Sequence, residues 1–299
     1  MIPVTTPLGV MLGLFLPEYF SHLRPFVPWL FGLMTFSGAL QLTASELGAA
    51  IKNPVPILLF FFSTHIIMPL AALGSSSVLF NNPEVITGFV LLFAGPTAVS
   101  GFIWVVIFKG DKALSLTLIL IDTLLAPAVV PATISILMGA KAEMDMSGIA
   151  VSLCFMVVIP TIIAVAINEI SRGKIPKMIC PAFDPFAKLC LITVIAANSS
   201  AVAHILKFND LLIWGMALLC VCLTTTGFIL ARLSGIAGRF SDQKCASLVL
   251  AGGLRNNSAV MTIAVAFFPE AAVIPGVLSI LFQQTVVAIV GKILIKKHG

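Results

Sequence analysis

Arg255 raises the first chemical question in this chain. It stands in AGGLRNNSAV (251–260), a run of two glycines, two asparagines and a fixed cation inside an otherwise apolar stretch. A guanidinium stays charged at every physiological pH and suits carboxylate, sulfate or phosphate groups. Asn256, Asn257 and Ser258 follow it directly, and a second amide pair, Gln283 and Gln284, lies in the next apolar run. Asp122, in LILIDTLLAP, is the one carboxylate well inside an apolar run, and His65, in STHIIMPLAAL, is a titratable ring in another. A cation among amides and hydroxyls points to anion binding. Asp122 can neutralise Arg255 or carry a proton, and His65 can carry a proton.

These groups must be positioned by membrane-spanning helices. The chain has 299 residues, 59% hydrophobic and only 10% charged, with a mean hydropathy of +1.12, whereas soluble domains carry about 25% charge. Apolar runs cut by charge, Pro or Gly give ten expected spans, near 3–17, 26–43, 53–73, 84–108, 113–138, 147–167, 186–206, 211–231, 243–268 and 271–292. Threading them alternately leaves Arg24, Lys141 and Lys207 on one side and every other Lys or Arg except Arg255 on the other. Positive charge collects in the cytoplasm, so both termini are expected there, in an inner (plasma) membrane. The net charge of +5 belongs to loops facing anionic lipid and implies no nucleic acid.

The chain divides near 139–146 into five spans and five, which inverts the second half (147–299) relative to the first (1–140). FAGPTAVSGF (93–102) in the fourth span answers LAGGLRNNSA (250–259) in the ninth. Pro96 removes a backbone donor, and Gly252 and Gly253 weaken a helix interior. Non-helical backbone at membrane depth is tolerated only where protein buries it or a cavity hydrates it. Two unwound, crossing helices are therefore expected, with half-helix N-termini turned toward an anion. An arginine at this depth costs about 2.5 kcal/mol or more unless paired, so an Asp122–Arg255 ion pair is expected. Thr97, Ser100, Asn198 and Ser199 join the amides as cavity candidates. The six cysteines lack metal-site spacing, and no nucleophile motif or phosphate loop is present; neither an enzyme nor a cofactor is expected.

With these residues the sequence resembles the bile acid–sodium symporter family in its bacterial ten-span form. The likeness is carried by VPWLFGLMTFSGALQLTASEL (27–47), IIMP (66–69), LLFAGPTAVSG (91–101), ALSLTLILIDTLLAPAVVP (113–131) and VIPGVLSILFQQ (273–284). It implies an all-α fold with a core domain (spans 3–5 and 8–10) and a panel domain (spans 1–2 and 6–7), and sodium-driven transport of organic anions. The positions where the family binds sodium depart from its pattern. The family's ninth-span glutamate and glutamine fall at Ala251 and Arg255, its Ser-Asn pair at Gly101 and Phe102, its glutamine at Thr64, and its fifth-span serine and threonine at Ser115 and Ile119. The expectation is a secondary transporter of a small organic anion in which Arg255 replaces the sodium ion, coupled to protons or to nothing. A sodium-coupled bile-acid-type symporter and an uncoupled channel or uniporter are the alternatives.

Overall fold

The computed structural model describes residues 2–40, 42–43, 54–139 and 145–295. The junction expected between the halves lies largely outside them, as do Lys52 and Lys141. The described residues are helical, with one isolated antiparallel β-bridge. The helices are α1 (Ile2–Phe15), α2 (Pro17–Ser21), α3 (Val27–Ala39), α4 (Val55–Leu79), α5 (Pro83–Ala94), α6 (Gly101–Ile107), α7 (Lys112–Met138), α8 (Met146–Ser171), α9 (Lys174–Ser199), α10 (Leu211–Ala237), α11 (Asp242–Gly253), α12 (Asn257–Phe267) and α13 (Ile274–Leu294). Helix α9 begins twelve residues before the expected span at 186, because the basic stretch after Gly173 continues the helix beyond its apolar part.

Among the described residues six helical stretches are long and apolar enough to cross a membrane: α4, α7, α8, Pro185–Val202 of α9, α10, and Glu270–Leu294, which contains α13. Their outward faces keep large apolar side chains such as Val78, Ile136, Ile170 and Leu211 exposed. A hydrocarbon solvent explains such a surface and water does not. The molecule is a multi-pass membrane protein.

Short polar residues set where these helices start. Asn82 accepts from the Glu84 and Val85 amides at the head of α5, with Pro83 in the first turn. Asp111, Asp145, Asp210 and Ser241 likewise cap α7, α8, α10 and α11. Each satisfies an amide that the first turn leaves without an intrahelical partner. Helix α9 packs on α1, α3 and α8, and α3 on α8, while α1 also meets α13, α10 packs on α11 and α13, and α5 on α4 and α7.

The two expected interruptions fall between α5 and α6 and between α11 and α12. The glycines of the second play a different part from the expected one. Helix α11 runs through Gly252 and Gly253, and unwinding starts at Leu254. A Cβ on Gly253 would lie 2.2 Å from the Phe228 ring, and one on Gly252 would lie 2.7 Å from the Ala231 Cβ. Glycine is needed there so that α10 can approach, which fixes where the break begins. Gly253→Ala is expected to destabilise the fold by about 1–3 kcal/mol through overpacking, read as a lower unfolding temperature in detergent. Gly74, where an added Cβ would meet nothing within 4 Å, serves as the control and should tolerate alanine.

Candidate functional site

The two interruptions hold each other. Thr97 and Arg255 form the antiparallel bridge, with the Ala98 amide donating to the Leu254 carbonyl (3.1 Å) and the Asn256 amide to the Pro96 carbonyl (2.8 Å). Pro96 has no donor to lose here, and its carbonyl is used. The Thr97 hydroxyl donates to the Ala251 and Leu254 carbonyls (2.7 and 3.0 Å), closing the C-terminal end of α11. Gln283 on α13 clasps the other bridge residue: its Oε1 accepts from the Arg255 amide and its Nε2 donates to the Arg255 carbonyl, both at 3.1 Å. These bonds give much of the unwound backbone protein partners.

Arg255 is 2% exposed, and its guanidinium donates to two main-chain oxygens. Nη1 reaches the Gly95 carbonyl (3.4 Å) at the C-terminal end of α5, and Nη2 reaches the Thr64 carbonyl (3.2 Å). Thr64 lies in a π-turn of α4, Phe62–Ile67, where the wider helical ring turns carbonyls away from their usual partners. Helix C-termini carry partial negative charge. The guanidinium therefore sits among the kind of oxygens that hold a coupling cation in discontinuous-helix transporters.

The direct Asp122–Arg255 ion pair expected from the sequence is not formed. Asp122, 0% exposed, places Oδ1 2.8 Å from His65 Nε2 and accepts the Thr97 amide on Oδ2 at 2.7 Å. The π-turn that sends the Thr64 carbonyl to Arg255 also carries His65, whose ring stacks on Phe61 at 5.1 Å, so the carboxylate meets the imidazole first. Arg255 remains within electrostatic range of Asp122 without touching it. Spacing along the chain gives no hint of the His65–Asp122 contact, because the two residues are 57 positions apart on different helices.

Beside the crossing lies a cavity of about 380 Å³. Ser100, Arg255, Asn256, Asn257, Ser258, Gln283 and Gln284 line one wall, while Thr6, Thr35, Ser37 and Lys188 from α1, α3 and α9 line the other. Thr97, Asn198 and Ser199, expected on this cavity, are buried away from it; Asn198 donates to the Thr262 hydroxyl instead (2.9 Å). Several cavity groups already have partners. Asn256 accepts from the Ala259 amide and caps α12, so this half-helix N-terminus is closed by its own side chain. Asn257 donates to Ser279 (3.0 Å), and Gln284 accepts from Trp104 (3.1 Å). Lys188, like Thr6, Thr35 and Ser37, is a cavity group that the sequence alone does not single out. By sequence it is one more cytoplasmic-side charge, and only the packing of α9 against the crossing brings it to the cavity.

The positions where the family resemblance implies sodium ligands hold other chemistry. Ala251 packs with Phe60, Leu118 and Leu248, and Phe102 and Ile119 present apolar surface to the cavity. Gly101 faces Leu254, Ser115 is 1% exposed, and the carbonyl of Thr64 is taken by Arg255. Among the described residues no group of three or more His, Cys, Asp or Glu could hold a metal ion.

Comparison with known proteins places this architecture. The model of the Sodium Bile acid symporter family matches residues 27–209. Uncharacterized protein YbaS of Bacillus subtilis (strain 168) is 38% identical over 98% of this chain and 96% of its own. Uncharacterized sodium-dependent transporter YocS of the same organism is 23% identical, covering 89% of this chain and 81% of its own. Probable sodium/metabolite cotransporter BASS2, chloroplastic, of Oryza sativa subsp. japonica is 26% identical over 78% of this chain and 56% of that protein. The chain belongs to the sodium bile acid symporter family and is a membrane transporter.

Proposed function

We propose that the protein is a secondary transporter of a small organic anion that works by alternating access, with the guanidinium of Arg255 standing where the family would bind sodium. The observation that carries this reading is the bonding of Arg255 to the Gly95 and Thr64 carbonyls at the crossing. Those oxygens are committed to a tethered cation, and the position of the family's glutamate, Ala251, is buried among apolar groups. The adjoining cavity is lined by two cations, Lys188 and Arg255, with no carboxylate among its described lining residues and much apolar wall. That combination suits an anion with an apolar body.

In this reading the chain has ten spans in two inverted halves, with both termini in the cytoplasm and the protein in the inner membrane. The matching order of a break followed by a long helix, α5–α6–α7 and α11–α12–α13, supports it. The packing of α9 on α1, α3 and α8 supports a panel that moves against the rest. His65 and Asp122, joined to the first break through the Thr97 amide, are the protonatable pair available for coupling.

Affinity selection of a metabolite extract on the purified chain, read by mass spectrometry, tests this function. Anions should be retained equally in sodium and in choline buffers. Retention of neutral or cationic compounds would end the anion reading. Anions retained only in sodium would favour a sodium-coupled symporter, as the names of the YocS and BASS2 relatives describe those proteins. Counterflow driven without any ion gradient, and unaffected by an imposed one, would mark an uncoupled uniporter.

A further inference from the structure

The two cations of the cavity have different surroundings, and the difference divides their labour. Arg255 is buried, and its guanidinium is turned to the carbonyls of Gly95 and Thr64. Its backbone is clasped by Gln283, and turning the side chain toward a ligand would break its bonds to both carbonyls. Lys188 is exposed and lines the cavity from α9. It is the fourth residue of the apolar stretch Pro185–Val202, near one end of that span. A lysine there keeps its ammonium hydrated by stretching along the apolar wall. Its flanking neighbours Ala187 and Leu191 face the same cavity, so the cation has an apolar foot and an accessible head.

We infer that Lys188, rather than Arg255, is the residue that takes the anionic group of the substrate, and that the substrate is a monoanion with a compact apolar body. The inference rests on the anion-transporter reading and sharpens it. One exposed ammonium matches one carboxylate or sulfonate. Arg255, the other cation at the cavity, is committed to the Gly95 and Thr64 carbonyls, and the apolar wall of Phe31, Met34, Phe102, Ile103, Leu116 and Ile119 favours hydrocarbon or an aromatic ring. Because Lys188 sits on α9 and the crossing on α5–α6 and α11–α12, a substrate held this way bridges the two groups of helices. Its charge then rests on α9, and its apolar body meets α3, α6 and α7.

The experiment uses the full chain in detergent or nanodiscs and two probes of equal shape, 3-phenylpropionate and its neutral amide. Binding is read by saturation-transfer NMR and by isothermal titration. The unmodified chain should prefer the acid at least tenfold, and added salt should narrow that preference. Lys188→Met should bind acid and amide within about twofold of each other, with amide affinity unchanged, and Lys188→Arg should retain the preference. Because Lys188 is exposed, the variants should fold, and unchanged amide binding shows that they have. A Lys188→Met chain that still prefers the acid tenfold would overturn the role of Lys188 while leaving the anion reading standing. An unmodified chain that binds neither probe, or both equally, would overturn the anion reading and this inference with it.

Discussion

Exchanging sodium for potassium or choline is expected to leave anion binding and uptake by this protein unchanged. The reason is the place of Arg255. Its guanidinium already donates to the Gly95 and Thr64 carbonyls, and the Ala251 and Leu254 carbonyls nearby accept from the Thr97 hydroxyl. A sodium ion entering this crossing would compete for oxygens already in use, beside a fixed positive charge. At about 4 Å and an effective dielectric near 20, the repulsion is about 4 kcal/mol, roughly a thousandfold in affinity. Uptake of the anions recovered by affinity selection, measured in proteoliposomes with the cation exchanged on both faces, checks this directly. Millimolar sodium that stimulates uptake severalfold would refute the substitution. Arg255→Gln with Ala251→Glu restores two of the ligands that the family resemblance implies. The structure adds a condition, since Ala251 packs on Phe60 and Leu118. Sodium dependence should therefore emerge only when Phe60 is also reduced to alanine, which makes room for the carboxylate.

The second large effect is expected at Asp122. Its two oxygens meet His65 and the Thr97 amide, it is fully buried, and it lies within electrostatic range of Arg255. Asp122→Ala leaves the Thr97 amide without its acceptor, His65 Nε2 without a partner and Arg255 without a counter-charge. Breaking a buried charge pair by removing one member costs about 3–5 kcal/mol, and an unmet buried donor adds about 1–3 kcal/mol. Loss of cooperative unfolding, or a large fall in unfolding temperature, should follow. Asp122→Asn keeps the shape and the acceptor for Thr97, so it should lose less stability than Asp122→Ala by about the 1–3 kcal/mol of the unmet buried donor, while it too removes the negative charge. It removes the protonatable carboxylate, and a transmembrane pH gradient should then no longer drive uptake. Normal proton-driven uptake by Asp122→Asn would show that the pair only braces the helices.

The membrane class and most helices were legible without coordinates, because a hydrocarbon solvent demands long apolar runs and tolerates charge only between them. Both interruptions were legible for a related reason: Pro96, Arg255 and two asparagines in apolar surroundings cannot sit in an ordinary lipid-facing helix. The family was legible from runs such as LLFAGPTAVSG, whose match needs no geometry. Pairing within the site was not. Asp122, His65, Thr97 and Arg255 come from distant parts of the chain, and which of them meet depends on rotations that sequence spacing does not constrain. The π-turn at Phe62–Ile67 decided two of those meetings at once, sending the Thr64 carbonyl to Arg255 and the His65 ring to Asp122. Close packing decided the rest. The approach of Phe228 gave Gly253 its purpose, and the seating of α9 beside the crossing made Lys188 part of the cavity wall. Solvent preference acts residue by residue and is written along the chain, whereas contacts between spans depend on shapes that exist only once the helices are packed.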